Sequence, residues 1–262
     1  MDNLPSRRSV LRLGAAAIAP LAAAGFGEAL LPAAAHAADG TRRPPPWTRE
    51  WRHAIRDLRQ FRHRCPAVHF PRRALMLTID DGPSRVWTPR YLRLLAKHDV
   101  RATFCMIGEQ IHPNRHIARE VVEHGHVIAN HTWDHDEQLT YASPRHIRSE
   151  ISRTTHAIHH ATGFVPSQFR APGGTWGPAL LAELHRQRLM PLGWDVDPQD
   201  WALPGVAAIE HTMLTARSGD IILCHDGGGN RAETYAALKR VIPVLLRRGH
   251  TFVTLPAPQP KR

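Results

Sequence analysis

Cysteine is scarce in this chain, and its three residues lie far apart in the sequence. An odd number cannot pair fully, so a disulfide scaffold is not expected for a chain of this size. No two cysteines have the close spacing of a zinc–thiolate site, which excludes that class of metal centre. Cys105 and Cys224 lie inside apolar runs and are expected to be small buried hydrophobic residues, whereas Cys65 has no assigned role.

Acidic residues are also few, because 23 Asp and Glu stand against 34 Lys and Arg, a formal net charge of +11. Much of this excess is local, since residues 38–66 hold eight arginines against three acidic residues, a net of +5. The chain has no nucleic-acid-binding motif. We therefore expect anionic cell-envelope polymers, and not nucleic acid, as partners of this segment. The alternative is a solvated basic linker.

The chain has no long apolar run after its N-terminal region. Within that region, the pair Arg7-Arg8 precedes an Ala/Leu-rich run that ends at Ala35-His36-Ala37. This order resembles a twin-arginine export signal with cleavage after Ala37. A transmembrane anchor is disfavoured by Glu28 and several glycines inside the run. We expect residues 1–37 to be removed and the protein to be secreted or to stay in the cell envelope, without a stable transmembrane anchor.

Residues 38–66 are interpreted as a basic Pro/Arg-rich linker. Pro44-Pro45-Pro46 predicts a stiff extended piece. Apolar residues with arginines between them then recur at helical spacing, at Trp47, Trp51, Ile55, Leu58 and Phe61. This pattern predicts an amphipathic helix that packs on the following domain or contacts a membrane surface, and packing on the domain is favoured.

Short apolar runs alternate with helical patterns over residues 67–257, and residues 258–262 form a tail. Strands are predicted near 74–79, 100–107, 126–130, 167–170, 189–194, 220–225 and 250–255. Helices are predicted near 88–98, 113–124, 144–162, 178–188, 205–216 and 232–248. The alternation indicates an α/β fold, either a distorted (β/α) barrel with about seven parallel strands or a doubly wound open sheet.

The positions of polar residues favour the barrel. A barrel gathers its strand ends around one mouth, whereas an open sheet would scatter them along an edge. Polar residues that can carry chemistry follow five of the predicted strands, at Asp80-Asp81, Asn130-His131, Arg170, Asp195 and His225.

The segment Thr78–Pro83 is the most informative one, because an apolar run ends there in two adjacent carboxylates, Asp80 and Asp81. His131 and His135 follow four residues apart, on one face if their segment is helical. One carboxylate and two imidazoles can hold a divalent metal ion and leave coordination positions open. The second carboxylate can then take a proton from an activated water. The pattern predicts metal-assisted hydrolysis.

Five motifs in chain order carry a resemblance to a known family. They are Thr78-Ile79-Asp80-Asp81-Gly82-Pro83, His131-Thr132-Trp133-Asp134-His135, Arg170-Ala171-Pro172-Gly173, Asp197-Pro198-Gln199-Asp200-Trp201 and Leu223-Cys224-His225-Asp226. With these motifs the sequence resembles the polysaccharide deacetylase (NodB-type) family, carbohydrate esterase family four. The resemblance implies a deacetylase domain with a NodB-type barrel over residues 67–257.

The resemblance also implies a metal centre and a base. Asp81, His131 and His135 would hold one divalent metal ion. Zinc is preferred for this set, with cobalt, nickel or manganese as alternatives. Asp80 would be the general base, and Arg170 would hold it by a charge-assisted hydrogen bond.

The remaining motif residues would supply the acid and the substrate contacts. His225 would be the general acid, with its pKa raised by Asp200. Trp201 and Leu223 would line the acetyl pocket, although a core position for Trp201 is the alternative. The third motif would contribute Pro172 and the backbone N–H of Gly173, which would help to stabilise an oxyanion.

These inferences predict a secreted, monomeric hydrolase of acetylated polysaccharides. The expected reaction removes acetyl groups from N-acetylated sugar polymers, either chitin oligomers or the N-acetylglucosamine of peptidoglycan. O-deacetylation of acetylated xylan by the same site is one alternative. A non-catalytic cell-wall carbohydrate-binding protein is the other, and the presence of both Asp80 and His225 argues against it.

Overall fold

The computed structural model describes residues 50–256, which form eight α-helices and seven β-strands. The strands are β1 Ala74–Gly82, β2 Thr103–Met106, β3 Val127–Asn130, β4 Gln168–Phe169, β5 Met190–Pro191, β6 Ile221–His225 and β7 Thr251–Phe252. The helices are α1 Leu58–Arg64, α2 Thr88–Lys97, α3 Gly108–Ile111, α4 Arg115–Glu123, α5 Pro144–Thr162, α6 Pro178–Arg186, α7 Val206–Met213 and α8 Ala232–Arg247. The predicted export signal and the C-terminal tail lie outside the described residues.

All seven strands belong to one parallel sheet, in the order β5-β4-β3-β2-β1-β6, with β7 paired to β1. Every predicted strand and each of the six predicted helices of this domain is present, so the predicted α/β fold with seven parallel strands is confirmed. Because the strands are parallel, their carboxyl ends meet at one edge of the curled sheet.

Isolated β-bridges form beside β5 and β6, the strands at the two ends of the sheet order. Ile55 pairs with Leu192, just after β5, and Asp57 pairs with Asp220, just before β6. Val196 pairs with Ile222 of β6. The segment before α1 therefore contacts both edge strands and spans part of the opening between them.

The amphipathic helix predicted from Trp47 is shorter in the structure, because α1 begins only at Leu58. Asp57 is the N-cap, with extended backbone at φ −145°, and its side chain accepts a hydrogen bond from Gln60 N at 2.8 Å. The bridge at Ile55 needs extended backbone too, so sheet pairing overrides the helical spacing before Asp57. Within the described residues, no helix has the length and apolar character needed to span a membrane.

Alternate residues of β1 enter two hydrophobic clusters. Leu75, Leu77 and Ile79 pack with α2, α4, α7 and α8. Ala74 and Met76 pack in a second cluster with buried residues of α5 and α6 and of the N-terminal segment, namely Trp51, Ile55, Leu58, Phe61 and Cys65. All three cysteines are free and buried, and Cys105 and Cys224 occupy strand positions as the sequence predicts.

Candidate active site

Asp81, His131 and His135 converge at the carboxyl edge of the sheet. Asp81 Oδ1 lies 3.3 Å from His131 Nε2 and 3.3 Å from His135 Nε2. One ligand atom from each of the three residues lies within 4.8 Å of the others. The chain thus brings together one carboxylate and two imidazoles that can hold a metal ion.

The segment that carries the two histidines is a loop, so the helix considered for their spacing is not present. Thr132 and His135 have left-handed backbone, with φ of 64° and 66°. The Thr132 hydroxyl accepts a hydrogen bond from His135 N at 3.1 Å, and Asn130 Oδ1 accepts one from Thr132 N at 3.0 Å. These two bonds fold the loop tightly enough to bring both imidazoles to Asp81.

The donor set fits a metal ion in its hydrogen bonding as well as in its composition. Asp81 Oδ1 is buried and has no hydrogen-bond partner among the described residues, although two ring nitrogens face it. Burial raises the pKa of Asp81, but His131 and His135 outweigh that effect and hold the pKa well below its usual range. On the far side of its ring, His131 Nδ1 lies 2.8 Å from the carbonyl oxygen of Arg170, so Nδ1 is the donor and Nε2 keeps its lone pair for a metal.

Asp80 lies next to this group and is bound by a buried arginine. Arg170 Nη1 donates to Asp80 Oδ2 at 3.0 Å, and both side chains are almost fully buried. The other Arg170 nitrogens donate to Thr78 Oγ1, to the carbonyl of Leu192 and to the carbonyl of Gly193. A guanidinium with this many fixed partners holds the Asp80 carboxylate in one position.

His225, at the end of β6, forms a second charged pair. Its Nδ1 lies 2.6 Å from Asp200 Oδ1, and its backbone N donates to Asp200 Oδ2 at 2.9 Å. Thr234 Oγ1 donates to the same Oδ2 at 2.8 Å, which fixes the carboxylate. Burial lowers the pKa of His225, but the hydrogen bond and charge of Asp200 outweigh burial and raise the pKa to about 9. The imidazole is therefore protonated at neutral pH.

A cleft of about 470 Å³ lies at this edge of the sheet. Among the residues with predicted roles, Asp80, Asp81, His131, His135, Gly173, Trp201, Leu223 and His225 line it. Trp201 is 56% exposed, which rules out the core position considered for it. Gly173 has φ 58°, a left-handed conformation that favours glycine.

Other predicted residues lie behind the cleft or away from it. Arg170 and Asp200 are fully buried and contact the lining residues Asp80 and His225. Pro172 is buried and does not line the cleft, because its neighbours Ala171 and Gly173 form that part of the wall. Asp195, expected at the mouth, instead lies 3.7 Å from Arg59, beside α1.

Four further residues line the cleft without having been assigned there from sequence, namely Glu137, Ala171, Trp194 and Asp197. Ala171 and Asp197 are part of two of the motifs, which was the available signal. Glu137 and Trp194 lie outside the motifs, and nothing in their local sequence indicates the cleft.

Asp226 and Gly227 pack behind the Asp81 carboxylate. Burial is the main cause that raises the pKa of Asp226, to about 7, and the Thr88 hydroxyl donates to its Oδ2. A Cβ at Gly227 would lie 2.0 Å from the carbonyl oxygen of Asp81. Only glycine therefore allows this close approach without moving Asp81.

Comparison with known proteins agrees with the motifs. The sequence model described as polysaccharide deacetylase matches residues 67–190. A peptidoglycan-N-acetylglucosamine deacetylase of Bacillus cereus is 37% identical over 190 residues, covering 69% of this chain and 85% of the relative. A chitooligosaccharide deacetylase of Bradyrhizobium is 38% identical over 197 residues, covering 70% of this chain and 90% of the relative.

A solved structure shares the fold. The crystal structure of a peptidoglycan N-acetylglucosamine deacetylase in complex with a benzamide compound aligns with a TM-score of 0.69 and 32% sequence identity. The alignment covers 72% of this chain and 88% of that one. Sequence, fold and the arrangement of the site agree, and the chain belongs to the polysaccharide deacetylase family, the NodB-type carbohydrate esterases of family four.

Proposed function

We propose that this chain is a secreted, metal-dependent deacetylase that removes acetyl groups from N-acetylated sugar polymers. The observation that carries the proposal is one cleft bordered by a group that can hold a metal ion, an arginine-held carboxylate and an imidazole paired with a buried carboxylate. Hydrolysis of an amide needs these three functions, namely an electrophilic centre, a base and an acid.

Asp81, His131 and His135 would hold the metal ion, with zinc preferred because two imidazoles and a carboxylate suit it. When bound, the ion would polarise the acetyl carbonyl and lower the pKa of the attacking water. The Arg170 carbonyl, which accepts from His131 Nδ1, fixes the tautomer that this role requires. Arg170 therefore orients both a metal ligand and the base.

Asp80 is assigned as the general base. Its Oδ2 is held by Arg170, while its Oδ1 is without a hydrogen-bond partner in the part of the chain described. The carboxylate accepts a proton as the water oxygen attacks the acetyl carbon. The Gly173 backbone, at the wall of the cleft, is assigned to stabilise the oxyanion that then develops.

His225 is assigned as the general acid. Because Asp200 accepts from Nδ1, the remaining nitrogen Nε2 is the one that can give its proton to the cleft. The C–N bond breaks as this proton reaches the leaving nitrogen, and the products are acetate and a free amine on the sugar. Trp201 and Leu223 border the same cleft and are assigned to contact the acetylated sugar.

Further cavities that share wall residues with the cleft favour a polymer as the substrate. A cavity of about 800 Å³ shares Gly173 and Trp194 with the cleft, and one of about 400 Å³ shares Asp81 with it. The second includes the glycine run Gly227–Gly229 in its wall. Relatives named for peptidoglycan N-acetylglucosamine and for chitooligosaccharides point to the same class of substrate.

Two alternatives remain distinct from this proposal. The same groups would cleave an acetyl ester, so O-deacetylation of acetylated xylan is the second enzymatic candidate. A non-catalytic cell-wall carbohydrate-binding protein is disfavoured, since both the arginine-held Asp80 and the Asp200-held His225 are in place.

The proposal includes the location and partners of the protein. Export rests on the twin-arginine-type sequence at residues 1–37, and a monomer is proposed. The basic segment 38–66 is proposed to contact anionic cell-envelope polymers. A nucleic-acid partner is not proposed.

Acetate release tests the function directly. The metal-loaded protein would be given N-acetylglucosamine oligomers, peptidoglycan and acetylated xylan in parallel, each with a chelator control. Chelator-sensitive acetate from either N-acetylated polymer is expected. Acetate from xylan alone would favour the esterase, and bound metal without acetate from any polymer would favour the binding protein.

A further inference from the structure

The cavity of about 800 Å³ beside the active-site cleft has an unusual wall. The N-terminal segment contributes Arg52, His53, Ala54, Arg56 and Gln60 to it, and the rest comes from the loop after β4, the first turn of α6 and the loop after β5. The N-terminal residues lie outside the 67–190 match to the family's sequence model. We name this cavity the basic groove.

Positive charge dominates the basic groove. Arg52 and Arg56 are exposed side chains in its wall, and the lining includes no Asp or Glu. Within residues 50–256, Arg52 makes no hydrogen bond or ion pair, and the Arg56 side chain makes only one, from Nε to the carbonyl of Trp194 at 3.2 Å. That bond orients Arg56 and leaves its two terminal nitrogens available to an anion.

Two tryptophans complete the wall. Trp176 and Trp194 both line the groove, and Trp194 also lines the cleft. The Trp194 ring is held in place, because the Arg170 guanidinium carbon lies 5.0 Å from its centre and Gly174 packs against its edge. A Cβ at Gly174 would lie 2.5 Å from Trp194 Cη2. Rigid aromatic faces beside a few polar groups are typical of small-molecule and sugar subsites.

The cleft itself has the opposite character. Glu137 and Asp197 line its wall beside the metal-ligating group. An anionic substituent on the sugar that reacts would face these carboxylates, whereas the same substituent on the neighbouring sugar would face Arg52 and Arg56. The arrangement separates a place for a neutral acetylated sugar from a place for an acidic one.

We propose that Arg52 and Arg56 form a subsite for a carboxylate-bearing sugar next to the sugar that is deacetylated. This inference rests on the proposed deacetylase function and narrows its substrate to an acidic N-acetylated glycan. Trp176 and Trp194 pack against the sugar rings, and the two guanidinium groups bind the carboxylate. Neutral N-acetylglucosamine oligomers occupy the same groove without that ionic contact and are the poorer substrates.

The test compares two tetrasaccharides with the full metal-loaded chain. One alternates N-acetylglucosamine with N-acetylmuramic acid, which carries a carboxylate, and the other is neutral chitotetraose. For Arg52→Gln plus Arg56→Gln, kcat/KM on the acidic substrate should fall about tenfold, mostly through KM, because exposed ionic contacts contribute modestly and add up. On chitotetraose it should change less than about twofold.

Matched variants distinguish the effect of the two groove arginines from the effect of lowering the net charge of the protein. Arg93→Gln plus Arg145→Gln removes two exposed charges that line neither the basic groove nor the cleft. In this variant the preference for the acidic tetrasaccharide over chitotetraose should remain. Arg56→Lys keeps the charge and should retain most of the preference. An equal loss on both tetrasaccharides, or wild-type protein without preference for the acidic one, would overturn the subsite.

Binding affinities measured by calorimetry test the proposed subsite even if the protein shows no turnover. The Asp80→Asn variant should bind the acidic tetrasaccharide more tightly than chitotetraose, and adding the two Arg→Gln changes should abolish the difference. Lack of acetate together with this binding preference would contradict the proposed function alone. Equal binding of the two sugars would contradict the subsite alone.

Discussion

At the scale of single residues, the site depends on buried charges that are paired with fixed partners. Arg170 has no exposed surface and satisfies its guanidinium with Asp80, Thr78 and two backbone carbonyls. A charge so deeply buried would be costly without this full set of bonds. The same logic applies to Asp200, which accepts three hydrogen bonds from His225 and Thr234.

Asp200→Asn should shift the alkaline limb of the pH–rate profile. The pKa of His225 is raised to about 9 by Asp200, so its imidazole is protonated below that pH. With His225 as the proposed general acid, activity should fall as pH rises through this value. Without the carboxylate the pKa falls, and the limb should move to lower pH in kcat measurements. Glu137→Gln, which removes a carboxylate from the cleft wall, is the control and should leave the limb in place. An unmoved limb in Asp200→Asn would show that His225 is not the acid.

At the scale of elements, the N-terminal segment is part of the packed domain. Ile55 and Asp57 bridge to residues beside the two edge strands, and α1 places Leu58 and Phe61 in a core cluster with Met76 of β1. Burial of these apolar side chains stabilises the sheet at the opening between β5 and β6. The segment therefore has a structural role in addition to any contact with polymers.

Leu58→Ala should destabilise the whole domain. The side chain is 2% exposed, and truncation of a buried leucine costs about 2–5 kcal/mol. Arg62→Ala, on the exposed side of the same short helix, should change the free energy of unfolding by less than about 0.5 kcal/mol. Denaturant unfolding measures both. Equal small effects would show that α1 is not part of the cooperative core.

Strand ends were the most predictable part of the site. His131 and Arg170 each follow a strand, His225 ends one, and Asp80 lies near the end of β1. Parallel strands bring their carboxyl ends together whatever the loops do. Such positions can be derived from apolar runs and the polar residues that follow them.

Loop conformation and long-range pairing were less predictable. The spacing of His131 and His135 is compatible with a helix, but left-handed backbone at Thr132 and His135 makes a loop. Likewise, the apolar spacing before Asp57 suggests a helix, but the chain there is extended because Ile55 and Asp57 form β-bridges. The loop rests on local hydrogen bonds to Asn130 and Thr132, whose geometry the residue spacing does not reveal. The extended chain before Asp57 depends on partners distant in sequence, as do the cleft positions of Glu137 and Trp194.

At the scale of the whole molecule, the active-site cleft shares wall residues with two further cavities. The basic groove shares Gly173 and Trp194 with the cleft, and a further cavity shares Asp81 with it. Arginines line the basic groove, while carboxylates line the cleft. A polymer with alternating neutral and acidic sugars matches this change of charge.

The measurement that tests the central claim most directly is metal content beside turnover in two variants. Asp80→Asn should keep its metal and lose turnover by about a hundredfold or more, because general base catalysis contributes that much. His131→Ala should lose both metal and acetate release. Near-normal turnover in Asp80→Asn, or unchanged metal content in His131→Ala, would contradict the assignment of Asp80 as base and of Asp81, His131 and His135 as metal ligands.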